Sequence, residues 1–174
     1  MSQIKIEAIK NVDDAGRVAR VHWVARQKAY ADILPKEYVN QKSFSDRERQ
    51  WYENIEKSTE GNGSIWLAQA KGFDAGFAAA GPTRDEDLDK KKTAELYYIY
   101  VMPDYWGAGI GQQLFDQARD EMKKAKFKDL TVWVYEPNAL ARKFYEKQGM
   151  NLTKAKRPIP GFESYQVVRY SMTL

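Results

Sequence analysis

Three glycines at alternate positions, Gly107, Gly109 and Gly111, are the residues of this chain best suited to binding a phosphate group. They are followed by a pattern typical of a helix, with apolar residues every four positions from Ile110 to Met122. The first amides of a helix lack partners within it and lie at the positive end of its dipole. Glycines let a phosphate approach such amides without meeting a Cβ atom. A tight turn that needs small residues would explain the same glycines.

The glycines form neither of two familiar nucleotide-binding loops. A Walker loop ends in Gly-Lys followed by Ser or Thr, whereas Gly111 is followed by Gln112 and Gln113. A dinucleotide fingerprint requires a further glycine at the position that Leu114 occupies. The sequence excludes both loops, and the glycines alone leave the ligand open.

Asn138 and Tyr145 form a second group that could do chemistry. Residues 130–135 predict a strand, and a helix is predicted from Pro137 until Gly149, since proline is common at helix starts and glycine just past their ends. Asn138 and Tyr145 are seven residues apart, so two helical turns place both on one face. Core packing of Tyr145 and helix capping by Asn138 would explain the same pattern.

Alternating strands and helices are predicted to position these residues. Residues 93–102 are rich in aromatic and β-branched residues, which is typical of a strand, and they lead directly into the glycines. The other predicted elements are a strand at 4–9, a helix from Asp13 or Asp14, a helix at 46–57, strands at 64–70 and 75–81, and strands at 151–157 and 164–173.

Together the two motifs resemble those of the GCN5-related N-acetyltransferase (GNAT) superfamily. In that family a strand ending V-x-P leads to Q/R-x-x-G-x-G/A, and N-x-x-A-x-x-F/L-Y-x-x-x-G-F follows further along. Here the first motif reads VMP at 101–103 and WGAGIG at 106–111, and the second reads NALARKFYEKQGM at 138–150. Two positions depart from the pattern, because Trp106 replaces the usual Gln or Arg and Met150 replaces the usual Phe.

The resemblance implies an α/β (α+β) fold of three layers. Its mixed central sheet would be splayed between the strands at 93–102 and 130–135, where acetyl-CoA would bind, with helices on both faces. The cosubstrate would then lie at the strand ends, which is the usual place for a ligand in such sheets.

The resemblance also implies which residues hold acetyl-CoA. An exposed strand edge would pair with the pantetheine amides, and Asn138 would bind the pantetheine or a nearby loop. Tyr145 would contact the same arm. Trp106 cannot assist the phosphates as a guanidinium would, but the backbone donors remain. The edge residues are Ile99, Tyr100 and Val101, and the pyrophosphate donors are the amides of Gly107, Ala108, Gly109, Ile110, Gly111 and Gln112.

Two catalytic roles follow from the resemblance. Tyr145 would be the general acid for the departing thiolate, because a phenol with a pKa near 10 holds its proton at neutral pH. Glu95, fourteen residues before Gly109, matches the glutamate that acts as base in the histone-acetylating branch. A salt bridge without a catalytic role would explain Glu95 equally well. Other branches place a glutamate where this chain has Trp133.

The acceptor is predicted only as an amine. The helices before residue 60 would line its side of the site, and aromatic and acidic groups there suit a cation. Core packing and a solvated loop are the alternatives for the same residues. The aromatic candidates are His22, Trp23, Tyr30, Tyr38 and Trp51, and the acidic ones are Asp85, Glu86, Asp87 and Asp89.

The composition excludes several classes of function. Without cysteine there is no disulfide framework, no thiolate metal site and no acyl-cysteine intermediate, which favours direct transfer. One histidine excludes a multi-histidine metal cluster, so we expect no metal. The net charge of +4 is small and dispersed, which argues against a nucleic-acid partner.

Length and hydropathy predict one domain over residues 1–174, because 43% apolar content supplies a sufficient core. No stretch approaches the roughly 20 apolar residues of a membrane span, and no signal-peptide pattern begins the sequence. We therefore expect a cytoplasmic protein with no membrane partner, for which a homodimer is plausible in this family.

The sequence thus predicts transfer of an acetyl group from acetyl-CoA to an amine of a small molecule or peptide. A non-catalytic acyl-CoA-binding or sensor domain is the alternative, and a nucleic-acid-binding protein with an incidental glycine turn is a third.

Overall fold

The computed structural model describes residues 4–61 and 63–174, which form seven strands, five α-helices and two single-turn 3-10 helices. The strands are β1 (Ile4–Ala8), β2 (Ser64–Ala70), β3 (Phe73–Pro82), β4 (Thr93–Val101), β5 (Asp129–Tyr135), β6 (Asn151–Ile159) and β7 (Phe162–Thr173). The helices are α1 (Ala15–Tyr30), α2 (Lys36–Val39), α3 (Phe44–Thr59), α4 (Ile110–Lys124) and α5 (Ala139–Lys147).

All seven strands belong to one mixed sheet in the order β1-β2-β3-β4-β5-β7-β6. Neighbouring strands are antiparallel except β4 and β5, which are parallel because α4 carries the chain back across the sheet between them. Their pairing covers only Thr93–Glu95 against Asp129–Thr131, and beyond Glu95 the two strands diverge. The predicted mixed, splayed sheet is therefore confirmed.

A bulge in β4 lies next to the point where the strands diverge. Ala79 of β3 pairs with Tyr98 and Ala80 pairs with Leu96, so Tyr97 is skipped in the strand pairing with β3. An extra residue of this kind bends its strand and increases the local twist. The bulge thus turns the last half of β4 away from β5 and opens a gap in the sheet.

Helices cover both faces of the sheet, as predicted. On one face, α4 buries Leu114 and Phe115 in an apolar cluster that extends to α5. On the other face, α1 and α3 bury Val18 and Trp51. Close packing of α4 requires Gly76 on β3, because a Cβ atom there would lie 2.9 Å from the Tyr100 carbonyl oxygen and 3.1 Å from the side chains of α4.

Local sequence signals explain most helix boundaries. Ser43 and Asp46 form a reciprocal capping box, so α3 begins at Phe44, two residues earlier than predicted. Asn138 is the N-cap of α5, which therefore begins at Ala139 and not at Pro137. The four-residue helix α2 after Pro35 was missed, because it is too short to show a helical period. Among the described residues, no helix has the length and apolar character needed to cross a bilayer.

Candidate active site

Two cavities meet where β4 and β5 diverge. The larger, of about 790 Å³, extends from the gap along the beginnings of α4 and α5. The smaller, of about 270 Å³, lies among aromatic side chains of β4 and β5, Tyr38 and the β6–β7 turn. Six residues line both cavities: Tyr30, Ile99, Tyr100, Trp133, Tyr135 and Tyr145.

The gap exposes a strand edge on β4. The Met102 amide donates to the Ala75 carbonyl oxygen at 2.8 Å, so Met102 directs its polar backbone groups towards β3. Along an antiparallel strand, the backbone N–H and C=O groups of successive residues point to opposite edges. The backbone groups of Tyr100 therefore also point towards β3, whereas those of Ile99 and Val101 point into the gap. Of the three predicted edge residues, Ile99 and Val101 therefore offer backbone groups to a ligand, and Tyr100 lines the cavity wall.

Trp106 covers one of these backbone groups. Its indole Nε1–H donates to the Val101 carbonyl oxygen at 2.8 Å, while the side chain remains 46% exposed. The residue that replaces the usual Gln or Arg is thus directed at the strand edge. A pantetheine amide that binds Val101 would compete with the indole for this oxygen.

Trp106→Phe is expected to tighten acetyl-CoA binding about threefold to tenfold, because phenylalanine cannot donate to the Val101 carbonyl and a net hydrogen bond is worth about 0.5–1.5 kcal/mol. Isothermal titration calorimetry measures the change in Kd. Trp23→Phe on α1 is the matched control, since Trp23 packs on Phe44 and lines neither cavity. Weaker binding by Trp106→Phe would mean that the indole supports the ligand directly.

The glycine turn is open towards the larger cavity. Gly107 and Gly109 adopt φ values of +78° and +83°, and a Cβ atom at either position would meet no atom within 4 Å. Gly109 is the N-cap of α4, so the next amides, which begin at Ile110, have no helical partner. Ala108 differs from its neighbours, because its amide donates to the Tyr105 carbonyl oxygen at 3.3 Å and the residue lines neither cavity.

Asn138 caps helix α5. Its Oδ1 accepts a hydrogen bond from the Ala141 amide at 3.0 Å, which is the capping role that the sequence left open. The residue also lines the larger cavity, together with the predicted phosphate donors Gly107, Gly109, Ile110, Gly111 and Gln112. The cap leaves the side-chain NH₂ group and the second lone pair of Oδ1 for a ligand. Contact between Asn138 and a ligand stays a prediction.

Tyr145 lies at the junction of the two cavities. It is 6% exposed, and its hydroxyl forms no hydrogen bond to any other described residue. Burial raises the pKa of Tyr145 above that of an ordinary phenol, so the hydroxyl keeps its proton at neutral pH. A neutral phenol at this position can donate a proton to a group in either cavity.

The structure does not bring Glu95 to this junction. Glu95 is 1% exposed, lines neither cavity, and is the last residue of β4 that pairs with β5. Its carboxylate accepts from the Arg84 amide at 3.0 Å and from Arg84 Nε at 3.2 Å, and it forms an ion pair with Arg84 Nη2. The salt bridge that the sequence left as an alternative is therefore present.

The acceptor-side residues divide between the cavity wall and the core. Tyr30 and Tyr38 line the smaller cavity, whereas His22 and Trp51 are buried behind it. Trp23 lines neither cavity.

The acids proposed to attract a cation are in part already paired. Asp85 accepts from both Trp133 Nε1 and Arg169, and Asp87 forms an ion pair with Arg169. Asp89 pairs with Lys92.

Sequence reasoning missed three features of the smaller cavity. Tyr97 and Tyr98 line it because of the bulge, and Arg157 of β6 places its guanidinium 4.1 Å from the Trp133 ring centroid. The run of aromatic residues in β4 could have indicated a cavity wall, but which of these side chains face the cavity depends on the bulge. The Arg157–Trp133 contact joins distant segments and left no local signal.

The chain belongs to the acetyltransferase (GNAT) family, since residues 26–150 match the model of that family. It is 29% identical to the uncharacterized N-acetyltransferase YuaI of Bacillus subtilis over 136 residues, and this aligned region covers 78% of this chain and 71% of YuaI. It is 26% identical over 165 residues to the probable N-acetyltransferase Rv2775 of Mycobacterium tuberculosis, covering 92% and 88% of the two chains.

Solved structures share the fold. PaiA N-acetyltransferase from Thermoplasma acidophilum, in complex with coenzyme A, superposes with a TM-score of 0.78 at 21% identity, covering 96% of this chain and 98% of PaiA. The yncA protein of Salmonella typhimurium, with its cofactor acetyl-CoA, has a TM-score of 0.74 at 17% identity, covering 99% and 95%.

Proposed function

We propose that this protein transfers an acetyl group from acetyl-CoA directly to the amine of a small molecule or peptide. The observation that carries the proposal is the position of Tyr145, which lines both cavities. A donor in the larger cavity and an acceptor in the smaller one would meet at its hydroxyl. The coenzyme supplies the acetyl group as a thioester, and the chain supplies binding, orientation and a proton.

Three features of the larger cavity support acetyl-CoA as its ligand. The amides that begin α4 and the positive end of its dipole suit a pyrophosphate. The open space beside Gly107 and Gly109 lets such a group approach the backbone. The gap-facing backbone groups of Ile99 and the amide of Val101 suit the amides of a pantetheine arm, which would add to the splayed edge as a short strand and would displace the Trp106 indole to reach the Val101 carbonyl. In the described ranges 4–61 and 63–174, no group of three His, Cys, Asp or Glu residues could hold a metal ion.

Tyr145 would protonate the leaving thiolate. Its raised pKa makes the phenol a weaker acid but guarantees that it is protonated when the thiolate departs. The aromatic walls formed by Tyr100, Trp133 and Tyr135 would restrict water at the same point. The protonated amine must lose one proton to become nucleophilic, and the smaller cavity gives this proton a route to solvent. The attacking nitrogen loses a second proton as the amide forms and the C–S bond breaks, and this proton would return Tyr145 to its phenol form.

We assign Glu95 a positioning role in this reaction. The carboxylate holds Arg84, and the Arg84 guanidinium lies 4.5 Å from the ring centroid of Tyr97, the bulge residue that lines the smaller cavity. Glu95 thus fixes the cavity wall through Arg84 and has no contact with either cavity.

Glu95→Gln is expected to raise the acceptor KM severalfold and to leave kcat and the pH dependence of kcat unchanged. Loss of the charge-assisted bonds to Arg84 should also lower the free energy of unfolding by about 1–3 kcal/mol. Steady-state kinetics from pH 6 to 10 and urea unfolding measure these changes, and Arg84→Gln should reproduce them. If Glu95→Gln instead abolishes an acidic limb of the kcat profile, Glu95 is the general base that the resemblance implied.

Release of coenzyme A thiol from acetyl-CoA tests the function directly. A thiol-reactive dye detects it without background from the protein, because the sequence contains no cysteine. The panel comprises amino acids, peptides, polyamines and aminoglycosides. Amine-dependent release establishes the transferase and names the acceptor class. No release with any amine, together with an acetyl-CoA-dependent rise in Tm, would favour the non-catalytic acyl-CoA-binding domain, for which the indole of Trp106 on the strand edge is the supporting observation.

A cytoplasmic location, a homodimer and the lack of a nucleic-acid partner stay predictions from sequence. Size-exclusion chromatography with light scattering measures the oligomeric state, and a DNA-binding titration at low salt measures nucleic-acid affinity.

A further inference from the structure

Two arginines without an acidic partner lie behind the smaller cavity. Arg26 of α1 is 7% exposed and Arg47 of α3 is 6% exposed. Among the described residues no carboxylate forms an ion pair with either guanidinium, although Arg26 Nη2 contacts the Tyr38 carbonyl oxygen at 3.4 Å. Arg26 Nη1 and Arg47 Nε are fully buried and have no hydrogen-bond partner in that part of the chain.

His22 adds a third donor to these two. Its Nδ1 accepts from Trp51 Nε1 at 3.0 Å, so in the neutral ring the hydrogen is on Nε2. That Nε2 lies 3.4 Å from Arg47 Nη1, which is also a donor. Burial and the charges of Arg47 and Arg26 lower the pKa of His22, which keeps the ring neutral. His22 and Arg47 therefore present N–H groups to each other, and the buried N–H groups of Arg26 Nη1 and Arg47 Nε lack an acceptor.

This donor cluster of His22, Arg26 and Arg47 lies one side chain behind the cavity wall. The Arg26 guanidinium is 5.2 Å from the Tyr30 ring centroid and 5.1 Å from that of Tyr38, and both rings line the smaller cavity. The His22 ring is 5.2 Å and 4.9 Å from two further lining rings, those of Tyr98 and Tyr100.

The two buried acids among the described residues, Asp85 and Glu95, do not neutralise the cluster. Asp85 is held by Arg169 and Arg157, and Glu95 is held by Arg84. An unpaired buried charge is costly, and proteins usually compensate it with a counter-ion or with hydrogen bonds. Positive charge therefore remains uncompensated on this side of the site, where a polycationic acceptor would be repelled.

We propose that Arg26, Arg47 and His22 bind the carboxylate of the acceptor, which is therefore an amine that also carries a carboxylate, such as an amino acid or a peptide. This inference rests on the proposed acetyl transfer. To reach the donor cluster, the carboxylate must displace the side chain of Tyr38, a half-buried residue on the four-residue helix α2, from Arg26 and from its 2.7 Å hydroxyl contact with Tyr135. The amine of the same molecule is then directed towards Tyr145.

The first test measures binding without acetyl-CoA. N-acetylglycine and N-acetylphenylalanine are titrated into the wild type at constant ionic strength, next to their amides. The acids should raise Tm by about 3 °C at ten times their Kd, and the amides should not. Arg47→Met should abolish the shift, and Arg20→Met, an exposed arginine of α1, should retain it. Arg26→Met replaces Arg47→Met if the latter does not fold.

The second test compares kcat and KM for amino acids and their amides. The kcat/KM of an acid should exceed that of its amide roughly tenfold or more, because a charge-assisted bond is stronger than a neutral one. The difference should arise from a lower KM for the acid. Arg47→Met should remove the preference by raising KM for the acids alone, with kcat and acetyl-CoA affinity retained.

Specific outcomes overturn the inference. Equal Tm shifts for acids and amides, or equal behaviour of Arg47→Met and Arg20→Met, would show that the donor cluster recognises no carboxylate. A shift produced equally by sodium acetate or sodium chloride would assign the cluster to a free structural anion and not to the acceptor. A wild type whose Tm does not respond to acetyl-CoA refutes the proposed function instead, and the carboxylate titration still gives its own answer.

Discussion

Tyr145→Phe is expected to lower kcat by about 100-fold or more while acetyl-CoA affinity stays within about twofold of the wild type. Removing a general acid costs about 10²–10⁴ in rate, and the phenylalanine ring keeps the apolar contacts of the buried tyrosine. The hydroxyl makes no hydrogen bond within residues 4–61 and 63–174, so its loss should leave the free energy of unfolding nearly unchanged. Pre-steady-state kinetics of thiol release and calorimetric titration of acetyl-CoA measure the two effects.

Tyr170→Phe is the matched control for this experiment. Tyr170 is fully buried, its ring centroid is 6.5 Å from that of Tyr145, and it lines neither cavity. Its hydroxyl donates to Glu146 and accepts from Arg142, so this variant should lose stability and keep kcat. An undiminished kcat in Tyr145→Phe would assign the proton to water or to another phenol at the junction of the cavities.

Gly109→Ala is expected to weaken acetyl-CoA binding by about 10- to 100-fold. Its φ of +83° suits glycine, so alanine would shift the backbone that aims the first amides of α4. The added methyl group would also enter the open space through which a phosphate approaches. Loss of one charge-assisted hydrogen bond, worth about 1.5–3 kcal/mol, accounts for this magnitude. Calorimetric titration measures the Kd.

Gly72→Ala separates binding from backbone strain. Gly72 lies in the β2–β3 turn with a φ of +80°, and a Cβ atom there also meets nothing within 4 Å. Both variants should lose about 1–2 kcal/mol of unfolding free energy, since each forces alanine into a left-handed conformation. Only Gly109→Ala should change the Kd. Equal affinities in the two variants would place the pyrophosphate away from the glycine turn.

The fold was largely predictable because its signals are local. Strand periodicity, Pro103 after a strand and Gly149 after a helix mark the element boundaries within a few residues. The two motifs then fix the order of β4, α4, β5 and α5, and the splay between the two strands follows from the family pattern. The bulge at Tyr97 was not predictable, because it depends on how β3 and β4 align and not on either segment alone.

The site was predictable only where its groups belong to one motif. The glycine turn, Asn138 and Tyr145 all line the larger cavity, where the resemblance predicted acetyl-CoA. The pairing of Glu95 with Arg84 depends on the loop between β3 and β4, so spacing to Gly109 did not reveal it. Arg26 of α1 and Arg47 of α3 are buried where these two helices pack on each other. Neither helix shows this alone, because an arginine in an amphipathic helix is ordinarily solvated.

The short β4–β5 ladder should allow the two parts of the sheet to move relative to each other. Three residue pairs join the β1–β4 half of the sheet to the β5–β7 half, so relative motion of the two halves meets little resistance at the open end. The Ile99 and Val101 amides face this gap and should exchange their hydrogens rapidly in the free protein. A ligand that bonds to that edge should slow exchange at these two amides and not at the amide of Tyr100. Hydrogen exchange followed by NMR would therefore detect binding at individual residues, without any catalytic turnover.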